Sequence, residues 1–570
     1  MKHTIPTLTI VLILLFAPTP AQADRAPWPM PVLDHVPVEP GEHPRLFFRR
    51  ADLPALRAKA QTPEGRAMIT RLRVLLGGGE TMPEHHRPVD VPFGDRTPPI
   101  DLPLGAYTIS HAAGFGLLYQ LTEDPKYAEL GLEAFEWAFR GIRDRDRTGR
   151  YGWEGFSGHL RAGPSLGWYA VAYDLLYDGW DEETRIRIAR AIQNFDQGRG
   201  ATLPNLSGGA SHYPFSNHWS MQVGGATLAL LAIKNDPGVD MDIVGPALEA
   251  NRRAMIRVMT EGFGDGGFFA EGDGTGSMAA HIVFLPALQA WRTAAGHDFI
   301  TPRPHAQWIA RRWFFLSNLH EAPPTFAPKR GGYPHNVWDR EGISGGGYFA
   351  HAFGILPKAE HPGLLWLYNQ SLREHDNNNG TPFDTASLYP HTAVLAFINF
   401  PFDLEAENPT GTWPHRNHDT EHRFYSWRNR YQDENDVIIS VLGQTTTGYI
   451  KASAEEFISI FTQGEMLHWG TFSRGIRREL DRRPQGGSVI TFGDGGSFAV
   501  DFSGKSGRDV LLVMHGPGAP PENQHTAGDH TFSLLFLGDG ETPTPTVQGN
   551  TLRVGEQIIS IEEDRIKLAD

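Results

Sequence analysis

Residues 216–233 have the sequence SNHWSMQVGGATLALLAI, and this stretch predicts a helix that begins at Asn217. Ser216 is a favoured N-cap residue, because its hydroxyl can accept a hydrogen bond from a free backbone N–H group of the first turn. His218 lies at the edge of the predicted apolar face, with Gln222 one turn below it. The residues of that face recur at spacings of four and three: Trp219, Val223, Ala226, Leu230 and Ile233.

Asn217 and His218 place an amide and an imidazole side by side at the positive end of this helix. Unpaired N–H groups and the helix dipole favour a bound anion there, and they disfavour a protonated imidazole. The pair therefore predicts a site for a carboxylate-bearing substrate, with a neutral histidine beside it. A second interpretation stays open, in which His218 only forms a hydrogen bond with a neighbouring loop.

The composition is that of an ordinary globular protein, with 570 residues of which 40% are hydrophobic and 21% are charged. The net charge of −15 argues against nucleic acid as a partner. Exposed charges are screened beyond about 8–10 Å, so a local basic cleft can still bind an anionic substrate. The chain has no cysteine, which excludes disulfides, thiolate catalysis and a cysteine-ligated metal.

The N-terminus has the features of a processing signal. Lys2 and His3 precede the apolar run 8–17, and the sequence Ala-Gln-Ala at 21–23 fits the small-residue rule for cleavage. We therefore expect residues 1–23 to be a signal peptide and the protein to be periplasmic or secreted. We expect no membrane contact after cleavage, because no later segment is a long uninterrupted apolar stretch.

The remaining chain divides into three parts by pattern. Residues 24–103 predict an N-terminal extension with short helices, and residues 104–400 predict one helix after another. Paired helices over so long a stretch favour a helical toroid or a solenoid, and the lack of a strict repeat argues against a regular solenoid. Residues 415–570 predict a separate sheet-rich domain. Its predicted strands are 424–427, 437–442, 457–461, 498–502 and 510–514.

Four motifs in this order resemble those of the heparinase II/III-like polysaccharide lyases, which include oligoalginate lyases. The first is HPRLFF at 43–48, and the second is the aromatic helix GPSLGWYAVAYDLLY at 163–177. The third is the pair Asn217-His218, and the fourth is DGGFFAEG at 265–272. The resemblance covers most of the chain after the signal peptide.

The resemblance implies an α+β multidomain fold class, with an N-terminal (α/α) toroid of paired helices and a C-terminal antiparallel β-sandwich. It implies β-elimination at a uronic acid of an anionic polysaccharide or oligosaccharide. Asn217 would neutralise the substrate carboxylate, and His218 would be the catalytic histidine. A base would remove the C5 proton, and an acid, typically a tyrosine, would protonate the departing O4.

The sequence departs from the family pattern at two places. In these lyases a tyrosine follows the Glu-Gly of the fourth motif, whereas the next proton-transfer candidate after Glu271 is His281. Either another tyrosine substitutes, or His218 is itself the base, or the chemistry differs. The family's His-x-Asp-x-x-Ser metal-binding stretch corresponds to residues 454–459, which lack the histidine. We therefore expect no cofactor and no bound zinc, while a structural or charge-neutralising divalent cation stays open.

Residues 329–340, followed by 344–351, predict a basic, aromatic, flexible loop, and loops over a rigid scaffold often carry functional sites. Arg330 could pair with a carboxylate through two hydrogen bonds, and Tyr333 or Tyr348 could move protons. Trp338 could stack on a sugar face. His335 completes the candidate substrate-binding residues of this segment. The alternative is a surface loop whose aromatic residues pack locally.

Other candidates lie outside that segment. His418, preferred to His415, resembles the family's second active-site histidine, although such a cluster is also typical of a solvated linker. Tyr213, Gln222 and Trp153 are candidate substrate-binding residues that could line the cleft. Tyr213 could instead only form its loop, and Trp153 could instead pack in the core.

Two further functions remain open. Glu271 and Asp273 could act as the acid and base of a glycoside hydrolase, although two acidic residues so close in sequence are also typical of loop caps. In that case Glu271 would be catalytic rather than substrate-binding. The missing tyrosine is also compatible with a catalytically inactive glycan-binding protein. The oligomeric state is not predicted.

Overall fold

The structure of the protein is a computed structural model. It describes residues 28–85, 102–144, 151–154, 159–209, 213–272, 282–317, 347–371, 389–419, 421–422, 424–428, 430–433, 436, 438–442, 457–462, 465–471, 487–491, 497–501, 510–515, 524–537, 544–555, 557–562 and 565–569. The predicted signal peptide 1–23 lies outside these residues.

The first part of the chain is helical. Its described α-helices are α1 Leu53–Lys59, α2 Pro63–Leu75, α3 His111–Thr122, α4 Pro125–Phe139, α5 His159–Leu176, α6 Glu182–Gln193, α7 Leu203–Gly208, α8 Asn217–Ile233, α9 Met241–Arg257, α10 Phe284–Ala295, α11 Pro304–Phe315, α12 Gly347–Ile355, α13 His361–Ser371 and α14 Pro390–Asn399.

Six of the described helices form a closed inner ring. In this ring α3 packs on α5, α5 on α8, α8 on α10, α10 on α12, α12 on α14, and α14 returns to α3. Helices α4, α6, α9, α11 and α13 lie outside the ring between successive inner helices in the chain, and α2 covers α14. This arrangement is an (α/α) toroid, as the sequence predicts.

The closest helix contact in the ring is between α5 and α8, and it depends on two glycines. A Cβ atom at Gly163 would lie 2.0 Å from the Met221 carbonyl oxygen, and one at Gly225 would lie 1.9 Å from the Gly163 carbonyl oxygen. Only hydrogen fits at either position, so the two backbones touch. One turn further along both helices, Gly167 approaches Gly225 and Leu228, which shows that α5 and α8 run parallel.

Parallel inner helices bring their N-termini to the same end of the ring. Ser110, just before α3, contacts His391 at the start of α14, since its Oγ lies 3.2 Å from Nδ1 of His391. Helix α12 runs in the same direction, because its C-terminal end meets that of α14: a Cβ atom at Gly354 would lie 2.6 Å from Asn399 Nδ2. We refer to this end, where α3, α8, α12 and α14 begin, as the N-terminal rim.

At the opposite end, a buried ionic cluster attaches the segment before α1 to the ring. His43 Nδ1 lies 2.7 Å from Asp174 Oδ1, and His43 Nε2 lies 3.0 Å from Asp236 Oδ2. Asp236 also forms an ion pair with Arg45 and accepts a hydrogen bond from the Tyr173 hydroxyl at 2.9 Å. Burial opposes ionisation of Asp236, but His43 and Arg45 hold its pKa below the usual value.

The second part of the chain consists of antiparallel sheets. Two short strands in the helical part, β1 Met30–Pro31 and β2 His297–Asp298, pair with each other. The described strands of the C-terminal sheets are β3 Arg416–Asp419, β4 Phe424–Arg428, β5 Ile438–Leu442, β6 Phe457–Thr462, β7 Glu465–Thr471, β8 Gly487–Thr491, β9 Ser497–Asp501, β10 Val510–His515, β11 Gln524–Ala527, β12 His530–Leu537, β13 Thr546–Gln548, β14 Thr551–Val554, β15 Gln557–Glu562 and β16 Arg565–Ala569.

The described strands form three C-terminal sheets with the orders β3-β4-β5-β6-β7, β11-β12-β10-β9-β8 and β13-β14-β15-β16. The second and third sheets share one apolar core, to which Phe532 and Leu534 contribute from one sheet and Leu552 and Ile559 from the other. The first sheet instead packs on the helices, and Phe424 belongs to the large helical core. Two of the three sheets thus form a sandwich.

The predicted fold class is confirmed, with one local difference. Helix α12 begins at Gly347, inside the segment predicted as a loop, because the apolar residues that follow are buried and need no amphipathic pattern; residues 329–346 lie outside the described residues. The ring helices end at Asn399 and the sheets begin at Arg416. Among the described residues, no helix has the length and apolar character needed to cross a membrane.

The ionic cluster yields a prediction about stability. We expect Asp236→Asn to lower the free energy of unfolding by about 3–5 kcal/mol, because Arg45 would lose its buried counter-charge. The control is Glu136→Gln, which removes an exposed ion pair with Arg187. The side chains of Glu136 and Arg187 are 43% and 46% exposed. We expect this control to cost at most about 1 kcal/mol in urea denaturation. If both variants lost the same unfolding free energy, Asp236 would not be the buried counter-charge of Arg45.

Candidate functional site

The first turn of α8 begins at the predicted residue and is capped as predicted. Ser216 Oγ accepts a hydrogen bond from the His218 backbone N–H at 3.3 Å. All residues of α8 are described, and within this helix His218 alone is not buried. The side chain at the edge of the predicted apolar face is therefore the one that α8 presents at the N-terminal rim.

A carboxylate of the protein itself lies at the positive end of α8. The Asn217 backbone N–H donates to Glu271 Oε2 at 3.0 Å, and both residues are almost completely buried. The sequence predicted an anionic ligand at this helix end, and the carboxylate of Glu271 provides the negative charge there. A substrate carboxylate would therefore have to be recognised by side chains, not by this N–H group.

Glu271 reaches α8 because the preceding residues form a tight hairpin, residues 262–272, which we call the clamp loop. Phe263 and Phe269 pair across it as an antiparallel bridge, and the Ala270 N–H donates to the Gly262 carbonyl oxygen at 2.9 Å. A Cβ atom at Gly262 would lie 2.4 Å from the Pro214 carbonyl oxygen. The clamp loop thus lies directly against the turn that leads into α8.

The first strand of the C-terminal sheets holds the other side of the clamp loop. Asn417 Nδ2 donates to the Gly266 carbonyl oxygen at 2.9 Å. Asp419 Oδ2 accepts hydrogen bonds from the N–H groups of Gly266 at 3.1 Å and Phe268 at 2.7 Å. Its Oδ1 accepts from the His422 N–H at 2.9 Å. Side chains of β3 therefore bind the loop through its backbone.

The Asp419 carboxyl is completely buried, and this sets its electrostatics. Burial raises its pKa to about 7, and the nearby Asp265 carboxylate contributes in the same direction. The three N–H donors oppose that rise. Burial also lowers the pKa of His422, and the lowered pKa favours a neutral imidazole beside the loop.

Aromatic packing completes the contact between the clamp loop and the first sheet. The rings of Phe268 and Phe424 stack with their centroids 4.6 Å apart. The guanidinium of Arg312 lies over both rings, at 5.1 Å from Phe268 and 5.4 Å from Phe424. The loop is thus fixed by packing as well as by hydrogen bonds.

A second group of polar residues lies elsewhere on the N-terminal rim. His391 stacks on Trp168 with ring centroids 4.7 Å apart, and His111 Nδ1 lies 2.9 Å from Thr108 Oγ1. Burial, with a smaller contribution from His351, lowers the pKa of His391 to about 3. These histidines are buried and form part of the scaffold around α3, α12 and α14, and sequence reasoning did not single them out.

The remaining described candidates have different surroundings. Tyr213 is 61% exposed and stacks on Phe215 at 5.3 Å, so it is accessible near the start of α8. Gln222 is fully buried. Trp153 is 9% exposed and contacts three rings edge-on, which is the packing of a core residue. The three rings belong to Phe139, Tyr169 and Phe195.

Tyr348 is the second residue of α12, an inner helix that begins at the N-terminal rim. His418 lies on β3 between Asn417 and Asp419, whereas the His415 ring bonds the Arg428 and Thr410 carbonyl oxygens. Asp273, His281, Arg330, Tyr333, His335 and Trp338 lie outside the described residues, as does the stretch 454–456.

Sequence reasoning missed Asn417 and Asp419. Their spacing of two in a strand, which puts both side chains on one face, was the available signal. In the part of the chain that the structure describes, no three histidine or acidic side chains are grouped so that they could hold a metal ion.

The contact between Glu271 and α8 can be tested by stability. We expect Glu271→Ala to cost about 1–3 kcal/mol of unfolding free energy, because a buried N–H group loses its acceptor. Glu271→Gln keeps an acceptor oxygen and should cost less. The control Glu261→Ala, at an exposed ion pair with Arg257, should cost at most about 1 kcal/mol in the same denaturation assay. A Gln variant as unstable as the Ala variant would contradict the hydrogen-bond assignment.

No protein-family model and no curated protein matches this chain. Among solved structures it is similar to Heparinase III, with 9% identity, 88% of this chain and 78% of that chain covered, and a TM-score of 0.40. It is also similar to a heparan sulfate lyase HepC mutant from Pedobacter heparinus, with 10% identity, 91% and 94% coverage and a TM-score of 0.40. A heparinase III gene product gives 10% identity, 91% and 99% coverage and a TM-score of 0.37. These proteins are named as heparinases or as a heparan sulfate lyase, and about one residue in ten is identical to this chain.

Proposed function

We propose that this protein is a polysaccharide lyase that cleaves a uronic-acid-containing glycan by β-elimination. The observation that carries the proposal is the first turn of α8. There His218 is the only residue of the helix that is not buried, and it follows an asparagine whose backbone is fixed by a buried carboxylate. Such a turn holds the His218 imidazole in a fixed position at the N-terminal rim, with the Asn217 side chain next to it in the chain.

The proposed reaction assigns a role to each side chain. The Asn217 amide donates a hydrogen bond to the substrate carboxylate, and this stabilises the negative charge that develops when C5 loses its proton. His218 takes that proton, which requires a neutral imidazole at the start of the step. The electron pair of the C–H bond then forms the C4–C5 double bond, and the bond to O4 breaks.

A tyrosine would protonate the departing O4. Tyr348 is our candidate, because its position in the first turn of α12 puts its backbone at the same end of the ring as His218. Tyr333 is the alternative, and we propose that Arg330, His335, Trp338 and His418 orient the glycan. Tyr213 could contact it near the start of α8, since its side chain is exposed.

The glycoside hydrolase is less well supported. A hydrolytic acid must reach the glycosidic oxygen, whereas the Glu271 carboxylate already accepts a hydrogen bond from the first backbone N–H group of α8. An inactive glycan-binding protein remains the third candidate. For the lyase we propose an anionic polysaccharide as substrate and a periplasmic or secreted location.

The decisive experiment is an assay on a panel of polyuronates that includes heparan sulfate and alginate. A lyase leaves a conjugated unsaturated uronate, which absorbs in the ultraviolet. We expect His218→Ala to lower kcat by about 10²–10⁴-fold, because the proton acceptor is lost. The matched control is His525→Ala, a partly buried histidine on β11 whose loss should leave kcat unchanged.

Other results would contradict the proposal. New reducing ends without the ultraviolet absorbance would indicate a hydrolase, and binding without either signal would indicate a glycan-binding protein. A His218→Ala enzyme with near-normal kcat would show that the proton acceptor lies elsewhere.

We also propose that the Asn217 amide, and not a metal ion, neutralises the substrate carboxylate. Treatment with a chelator followed by desalting should then leave kcat unchanged. A loss of activity that added Ca²⁺ or Zn²⁺ restores would show that a cation performs this role.

A further inference from the structure

We propose that Asn417 and Asp419 of β3 are positioning residues, which set the geometry of the Asn217–His218 turn through the clamp loop 262–272. The catalytic consequence rests on the proposed function, whereas the mechanical link rests on the contacts alone. Through this link, the first C-terminal sheet would control a site on the helical ring.

The first step of the link is that β3 binds both backbone polar groups of Gly266 and the N–H group of Phe268. Asn417 donates to the carbonyl oxygen of Gly266, and Asp419 accepts from the N–H group of the same residue. Asp419 also accepts from Phe268 at 2.7 Å. Because donor and acceptor of one residue are both held, the loop can neither slide along the strand nor rotate about it.

The second step is the lack of free space around the loop. A Cβ atom at Gly264 would lie 2.1 Å from Asp419 Oδ1, so the loop backbone lies directly on the carboxylate. On its other side, Gly262 is similarly close to Pro214 in the turn before α8. The loop therefore fills the gap between β3 and that turn, and a displacement at one contact must move the other.

The third step connects the loop to the site. Glu271 follows the hairpin closure at Ala270 by one residue, and its carboxylate accepts the first N–H group of α8. Asn217, which donates that N–H, and His218 both have their Cα positions set by this turn. A shift of about 1 Å at a reacting group can lower a rate by about 10²-fold, so a loosened loop should affect catalysis.

The carboxylate of Asp419 is suited to holding backbone. It is completely buried, and its described contacts are three N–H groups from two segments. An asparagine has the same shape but only one acceptor oxygen, and its NH₂ group would face an N–H donor. Asp419→Asn therefore removes part of the grip while the volume of the site is kept.

The test compares Asp419→Asn with Asp436→Asn in the full-length protein. Asp436 is equally buried, accepts from the Gln432 N–H at 2.9 Å and pairs with Arg428, but its described contacts do not include the clamp loop. Both variants should lower the melting temperature. Only Asp419→Asn should increase hydrogen exchange in peptides covering 262–272 and 213–222, and only it should lower kcat, by about 10–100-fold, at temperatures where all proteins are folded.

Asn417→Ser provides a milder second variant, since it removes one hydrogen bond and leaves the carboxylate. It should show the same exchange pattern with a smaller loss of kcat. The proposal is wrong if Asp419→Asn and Asn417→Ser reduce stability but leave exchange at 213–222 and kcat at wild-type values. If wild-type protein cleaves no polyuronate, the proposed function fails, and exchange at 213–222 then decides the mechanical link on its own.

Discussion

The backbone contact between α5 and α8 is the constraint on which the rest of the structure depends. Gly163 and Gly225 allow the two helices to approach until their main chains touch, and this draws α8 into the ring until only His218 remains outside the core. A methyl group at either glycine would force the helices apart. The position of the candidate site is thus determined by residues without side chains, one of them two turns away along α8.

A helix buried so deeply needs partners for the polar groups at both of its ends. At the N-terminus Ser216 and the Glu271 carboxylate accept N–H groups, and at the C-terminus Arg45 donates to the Lys234 carbonyl oxygen at 2.8 Å. An anion therefore faces the positive end and a cation the negative end. Arg45 is in turn held by Asp236 in the ionic cluster. The segment before α1 and the clamp loop thus each supply a charge opposite to the helix dipole, at opposite ends of α8.

The sequence made the start of α8, its N-cap and the place of His218 at the edge of the predicted apolar face predictable because their signals are local. Helix α12 was not predictable in this way, because GYFAHAFGI is apolar on nearly every side and has no period to detect. The hydrogen bonds of Asn417 and Asp419 to the clamp loop were also missed, because they join residues about 150 positions apart. Only the fold reveals what those side chains bind.

These contacts also give a physical meaning to the motif DGGFFAEG at 265–272. The backbone N–H and C=O groups of its second residue, Gly266, both bind β3, Phe268 packs on Phe424 and Arg312, and Glu271 binds the start of α8. Each of these roles is structural, so the motif holds the site without supplying a reacting group. In the proposed reaction the proton must therefore pass through His218 and a tyrosine on another part of the ring, which makes the absence of a tyrosine after Glu271 compatible with catalysis.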